Sequence, residues 1–198
     1  MTAPARKIAT YADLEAVPPH LVAEIIYGAL ETHPRPAPKH ASATTELSYE
    51  LVGPFGRGRG GPGGWHFIVE PELHLGANIV VPDIAGWRRE RLTQLSGKAY
   101  MTIAPDWVCE VLSPSTAKLD RGPKRAIYGE ASVPYLWLFE PLNRVLEAFQ
   151  FVGRQWVLVG VATGNDQVKL PPFNAISFPL DDLFPFDPPA SPDPTPQS

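Results

Sequence analysis

One cysteine in 198 residues rules out an internal disulfide. That residue, Cys109, lies inside the apolar run Trp107-Val108-Cys109 and reads as inert packing, which fits a reducing, cytoplasmic setting. No apolar run approaches the roughly 20 residues that span a bilayer. The opening stretch MTAPARKIATYADL also lacks the apolar segment of a signal peptide, so no membrane partner is expected. Cationic surplus is missing too. The formal net charge is -4, so any contact with nucleic acid must rely on local patches. His20, His33, His66 and His74 show no zinc-like spacing. The glycine-rich stretch Gly56 to Gly64 lacks the Gly-Lys-Ser/Thr ending of a phosphate-cradling loop. No internal repeat is present.

What remains is a composition of 44% hydrophobic and 19% charged residues. It suits one compact domain with a sizeable core, assigned to residues 1–184. The 24 prolines gather at segment boundaries and in residues 185–198, a proline-rich tail that cannot build a core.

The pattern along the chain is mixed α/β with a β-rich C-terminal part. Thr10 to Glu15 reads as a short helix capped by Thr10. Ala23 to Glu31 reads as a hairpin turning at Tyr27-Gly28. After the link Pro34 to Pro38, helical periodicity through Ala43, Leu47 and Leu51 predicts a helix over Lys39 to Val52 that stops at Gly53-Pro54. Trp65 to Leu75 and Ile79 to Trp87 each read as one strand. Trp107 to Leu112 is a continuous apolar strand of the kind buried at a sheet centre. Asp120 is expected to cap a helix over Arg121 to Ala131, with Pro123 in its first turn. Tyr135 to Phe139 is another buried strand. Val145 to Phe151 and Gln155 to Val161 read as an antiparallel pair. Their apolar character carries an expectation of self-association as a homodimer. A last turn falls at Asp181 to Phe184.

Two acids stand at the ends of apolar runs: Asp83 after Ile79-Val80-Val81-Pro82, and Glu110 within Trp107 to Leu112. Neighbouring strand ends can bring such carboxylates together. Held close, they repel, and a hard divalent cation relieves the repulsion. Pro82 removes a ladder donor, which suggests an edge, a bend or a site. Glu110 is the sharper signal, because an unpaired charge at a strand centre is costly. Mg²⁺ (or Mn²⁺) beside phosphate is a standard arrangement for phosphodiester chemistry. Lys124 shares a helix face with Tyr128 and could return a cation to the strand ends. Against that stands an ordinary solvated lysine. Glu24, before Ile25-Ile26, and His40, in the first turn of a helix, are secondary candidates. Ser113-Pro114-Ser115-Thr116 reads as a turn. Basic residues cluster at Arg57 and Arg59, at Arg88, Arg89 and Arg91, and at Lys118, Arg121, Lys124 and Arg125. Such groups could touch phosphates without reading sequence.

Several segments together resemble the restriction-endonuclease family often called Uma-two, of the PD-(D/E)XK nuclease superfamily. They are Val81-Pro82-Asp83, Trp107 to Thr116, then Asp120, Lys124 and Tyr128, then Val133 to Leu138, with Ala23 to Leu30 and His40. The resemblance runs from about Thr10 to Phe184. It implies a restriction-endonuclease-like α/β fold, a mixed sheet flanked by helices, with Asp83 and Glu110 as Mg²⁺ ligands. The superfamily pattern also wants a lysine two residues after the second acid. Leu112 stands there, and the resemblance implies Lys124 as its replacement. Pro123 stands where the family commonly has Glu.

Three readings follow. The first is a metal-dependent nuclease acting on DNA. The second is a nuclease-fold module that binds nucleic acid or protein without cutting. The third, a two-carboxylate glycosidase, is disfavoured because no aromatic cluster lies near these acids in sequence.

Overall fold

The computed structural model describes residues 8–186. Residues 1–7 and 187–198, with most of the expected tail, lie outside the described residues. The chain opens with α1 (Tyr11–Glu15), held by the expected cap: Thr10 and Asp13 bond each other's backbone N–H groups. The hairpin of β1 (Leu21–Ile26) and β2 (Ala29–Pro34) turns at Tyr27-Gly28, both with positive φ, as a type I′ hairpin turn requires. Then comes α2 (Pro38–Leu51).

Gly53-Pro54 does not stop the helical path. The chain continues through a wider turn of π type over Val52–Gly56. Pro54 removes only one donor, and Phe55 drops into the core.

Both long expected strands are broken. Trp65 to Leu75 divides into β3 (Trp65–Val69) and β4 (Leu73–Leu75) at Glu70-Pro71, where Glu70 takes φ 48. Ile79 to Trp87 divides into β5 (Asn78–Val80) and β6 (Ile84–Arg88) at Val81-Pro82-Asp83. In each case the halves belong to different sheets. A four-stranded sheet runs β2-β1-β5-β4. A six-stranded sheet includes β7 (Trp107–Val111), β8 (Tyr135–Glu140), β9 (Val145–Val152) and β10 (Gln155–Thr163), in the order β10-β9-β8-β7-β6-β3. Asp83 therefore sits at the junction between two sheets rather than at the end of one long strand.

Strands β7 and β8 are the parallel pair, and a parallel pair needs a crossover. Residues 112–134 supply it. The helical segment begins before Asp120, as α3 (Ala117–Leu119), widens through a π-type turn over Asp120–Lys124 that contains Pro123, and ends as α4 (Arg125–Glu130). Asp120 is thus inside the helical path and caps nothing. The chain closes with a small pair, β11 (Gln167–Val168) and β12 (Phe178–Pro179), and a tight turn over Leu180–Leu183.

Strand β7 is buried on both faces, and its period of two sorts its side chains. Trp107, Cys109 and Val111 face a core shared with Leu47 and Leu51 of α2. Val108 and Leu112 face the core under the crossover, with Ile127 and Tyr128. Glu110 has the parity of the second set. Burial pushes the Cys109 thiol well above its ordinary pKa, so it is inert as expected. Edge strand β10 leaves Val157, Leu158, Val159 and Val161 exposed, the surface on which the expected self-association would rest.

Phe173 is the hub of the α2-side core. Its ring lies 4.8 Å from Phe55, 4.9 Å from Trp65, 5.0 Å from Trp107 and 5.5 Å from Trp137. We expect Phe173→Ala to cost about 3–5 kcal/mol in urea unfolding. A loss under about 1 kcal/mol would show that the aromatic cluster closes over the gap.

Candidate active site

The break between the sheets, the end of β7 and the crossover meet at one cleft of about 330 Å³. Its lining includes His33, Arg35, His40, Asp83, Glu110 and Lys124. Of the five residues singled out from sequence, four line this cleft: His40, Asp83, Glu110 and Lys124. Glu24 is fully buried behind it.

Each acid is fixed by named partners. Asp83 Oδ1 accepts from His40 Nε2 at 2.6 Å, and its Oδ2 accepts from the Val111 N–H at 2.7 Å. The carboxylate therefore fixes the imidazole tautomer with its proton on Nε2, and it caps the end of β7. Glu110 Oε1 accepts a short hydrogen bond from the Tyr128 hydroxyl and lies 2.9 Å from Lys124 Nζ. Glu24 Oε1 accepts from the Val81 N–H at 2.7 Å and lies 2.9 Å from the same Nζ. The strand break at Pro82 is thus closed on both sides by acids that bond backbone amides.

Lys124 is not a solvated surface lysine; it is 2% exposed. Its ammonium also meets the Val81 carbonyl at 3.2 Å and Asp120 Oδ1 at 3.5 Å. The π-type turn brings Asp120 and Lys124, four residues apart, onto one face. Three donors are shared among these four acceptors, so the ammonium is committed to the protein.

The electrostatics follow from burial and from this one cation. Burial pushes the Glu110 carboxyl well above its usual range; Lys124 opposes this in part, while Asp120, Asp83 and Glu24 add to it. Burial also raises Asp120. For Glu24, burial alone would raise the value, but Lys124, His33 and the Val81 N–H reverse it and hold it below the ordinary carboxylate range. Burial would strip Lys124 of its proton, yet Glu110 and Glu24 hold it well above the usual lysine value. The state consistent with all four is a charged Lys124 clamped by an ionised Glu24.

Sequence reasoning missed His33. Its Nε2 lies 3.6 Å from Glu24 Oε2, an ion-pair distance beyond hydrogen-bond reach, so Oε2 has no hydrogen bond among the described residues. The Glu24 carboxylate beside it raises the His33 pKa. The signal was available. The hairpin pairs Glu24 with Glu31, which puts His33 two residues along on the same face. Tyr128, read from sequence for its helix face and as part of the Uma-two resemblance but given no role, is the hydroxyl that orients Glu110.

Many residues of the expected basic patches are engaged elsewhere. Arg91 pairs with Asp106, and Arg121 with Glu140 and Glu147. Arg88 lies over the Trp65 ring and Arg125 over the Phe149 ring.

Could the cleft hold a metal ion? Among the described residues, no three His, Cys, Asp or Glu side chains converge into a ready-made metal cage. Mg²⁺ does not need one. It commonly takes one or two protein carboxylates and completes its shell with water and phosphate. Asp83 and Glu110 would be the hard oxygen donors available to it in this cleft. Three acids, Glu24, Glu110 and Asp120, share a single buried ammonium, and Asp83 lines the same cleft, so added positive charge is favoured there.

The family model Uma2, described as "Putative restriction endonuclease", matches residues 8–181. The chain belongs to this family. The structure of a "putative nuclease belonging to DUF820" from Anabaena variabilis is similar, with a TM-score of 0.71 and 20% sequence identity. The match covers 89% of this chain and 97% of that one. At that identity the likeness shows the fold: a nuclease-type mixed sheet flanked by helices. No curated protein matches the chain. No helix among the described residues is long and apolar enough to cross a membrane.

The buried cation sets a stability test. Replacing Lys124 with Met strands Glu24 beside other acids, and breaking a buried pair costs about 3–5 kcal/mol. Because folded Glu24 titrates below its unfolded value of about 4.3, its pairing with Lys124 stabilises fully above that value. That contribution is lost as pH falls through the folded value. Urea unfolding of Lys124→Met should therefore show a deficit at neutral pH that narrows in acid. A deficit independent of pH would mean that the ammonium does not set the Glu24 charge.

Proposed function

We propose that this protein is a divalent-cation-dependent nuclease that hydrolyses phosphodiester bonds in DNA. The observation that carries the reading is the cleft itself. Asp83 and Glu110, 27 residues apart in sequence (110 − 83 = 27), line one small cavity. Each is fixed by partners that leave it little freedom.

Asp83 and Glu110 would hold Mg²⁺ or Mn²⁺. Once bound, such an ion supplies Lewis acidity toward a phosphate and a more acidic water. The chain's own residues do the rest. His40 and the Val111 N–H hold Asp83 in one orientation. Tyr128 and Lys124 both act on Oε1 of Glu110, and none of the hydrogen bonds found among the described residues reaches its Oε2. Orientation of this kind is what supporting partners contribute at metal sites. Glu24 anchors Lys124 from behind, so its role is to position the cation that steadies Glu110.

One observation favours a second reading, a nuclease fold that binds nucleic acid or protein without cutting. Leu112 occupies the position of the superfamily lysine, and the ammonium of Lys124 is already engaged by four acceptors.

The isosteric variants Asp83→Asn and Glu110→Gln keep the hydrogen bonds of the Val111 amide and the Tyr128 hydroxyl. We expect wild type to nick plasmid DNA with Mg²⁺ or Mn²⁺ and to stop in EDTA. Both variants should lose more than about 100-fold in rate while Tyr128→Phe loses about 10- to 100-fold, the range for supporting partners. Full cleavage by either acid variant would sink the mechanism. DNA binding without cleavage by wild type, with either ion, would favour the second reading.

A further inference from the structure

The cleft has an electrostatic mismatch with a phosphodiester. Asp83, Glu110 and Asp120 put three carboxyl groups on its wall, and an incoming phosphate adds more negative charge. Lys124 does not answer this, because its ammonium is buried and engaged with Glu24, Glu110, Asp120 and the Val81 carbonyl. Among the lining residues there is one other lysine or arginine, Arg35.

Arg35 differs from Lys124 in every respect that matters for a ligand. Its side chain is 56% exposed. Its contacts are long and replaceable: Nη1 lies 3.3 Å from Glu70 Oε2, and Nη2 donates to the Pro19 carbonyl at 3.3 Å. An exposed ion pair of this kind contributes little, so exchanging it for another anion is inexpensive. The backbone is prearranged as well. Pro34 and Pro36 flank Arg35 and lock φ on either side, between the end of β2 and the start of α2. The lining also carries three uncharged hydroxyl residues, Ser113, Ser115 and Thr116.

We propose that Arg35 is the phosphate-binding residue of this cleft: its guanidinium leaves Glu70 and the Pro19 carbonyl and takes a two-pronged grip on the DNA phosphate lying over Asp83 and Glu110. The inference rests on the nuclease reading for the identity of the ligand. Guanidinium suits the task because its planar fork matches two phosphate oxygens at once. Glu70 then acts as a competitor that keeps the fork near the cleft when no phosphate is bound.

The test is fluorescence anisotropy of a short fluorescein-labelled DNA duplex, and of its single strand, over a salt series. The full chain carries Asp83→Asn to prevent cleavage. Arg35→Ala should weaken binding about tenfold or more and lower the slope of log affinity against log salt by about 0.7–0.9. Arg35→Lys should restore the slope but only part of the affinity, because the fork is lost. Glu70→Gln should tighten binding by removing the competitor. Arg35 is exposed, so thermal unfolding of its variants should match the parent. Unchanged affinity and slope in Arg35→Ala overturns the inference. If wild type cuts DNA and Arg35→Ala cuts and binds equally well, the inference falls alone. If binding depends on Arg35 but no ion supports cleavage, the nuclease reading falls and the inference stands. A chain that holds neither duplex nor single strand overturns both.

Discussion

A single buried ammonium organises this structure. Lys124 lies between Glu24 of β1 and Glu110 of β7, in contact with both at 2.9 Å. Taking a cation and two acids out of water costs several kcal/mol per ion, and such a cluster persists only if nearly every polar atom is answered. Here almost all are. The Val81 carbonyl and Asp120 complete the lysine's surroundings, Tyr128 completes Glu110 Oε1, and the Val81 N–H completes Glu24 Oε1. Two oxygens are left over among the described residues: Glu110 Oε2, and Glu24 Oε2, which faces His33 beyond hydrogen-bond range. The lysine thereby ties three pieces of chain that no shared ladder connects: the small sheet, the large sheet and the crossover.

The junction of the sheets is the second constraint. A chain that passes from one sheet to another must leave its ladder for a few residues, and buried backbone amides then need other partners. Val81-Pro82-Asp83 is that passage. Proline removes one donor outright, Glu24 receives the amide before it, and Asp83 turns its own carboxylate to the amide of Val111. Acid groups are drawn to this point by backbone geometry before any chemistry is considered. The cleft forms where the same passage leaves space between the two sheets.

Much of the fold was legible because local rules sufficed. The Thr10 cap, the Tyr27-Gly28 turn and the apolar runs of β7, β8 and β9 each carry their own signature. The resemblance to the Uma-two pattern pointed to the same family that the family match shows. What periodicity could not show was where a strand changes sheets. Ile79 to Trp87 is apolar but for Asp83, and Pro82 marked the break. Glu70-Pro71 marked the other break and was passed over. The wide helical turns at Val52–Gly56 and Asp120–Lys124 leave no periodic trace, so the first looked like a stop and the second like the start of a helix. In the cleft, Glu110 stood out as a charge in an apolar strand. Arg35 did not, because a lone arginine between prolines looks like any link, and only the folded path of the chain between β2 and α2 brings it to the cavity.

The amide contacts of Glu24 and Asp83 have a consequence for descent. Each acid closes a backbone donor that would otherwise be orphaned at the sheet junction. On the nuclease reading proposed above, a descendant that gave up cutting would still be selected to keep both side chains, for stability alone. The contacts that such a lineage is free to lose are those that support no amide: the Tyr128 hydroxyl on Glu110 and the Arg35 fork at the rim. In copies of this gene that have drifted, decay should therefore begin at Arg35 and Tyr128 and reach Glu24 and Asp83 last.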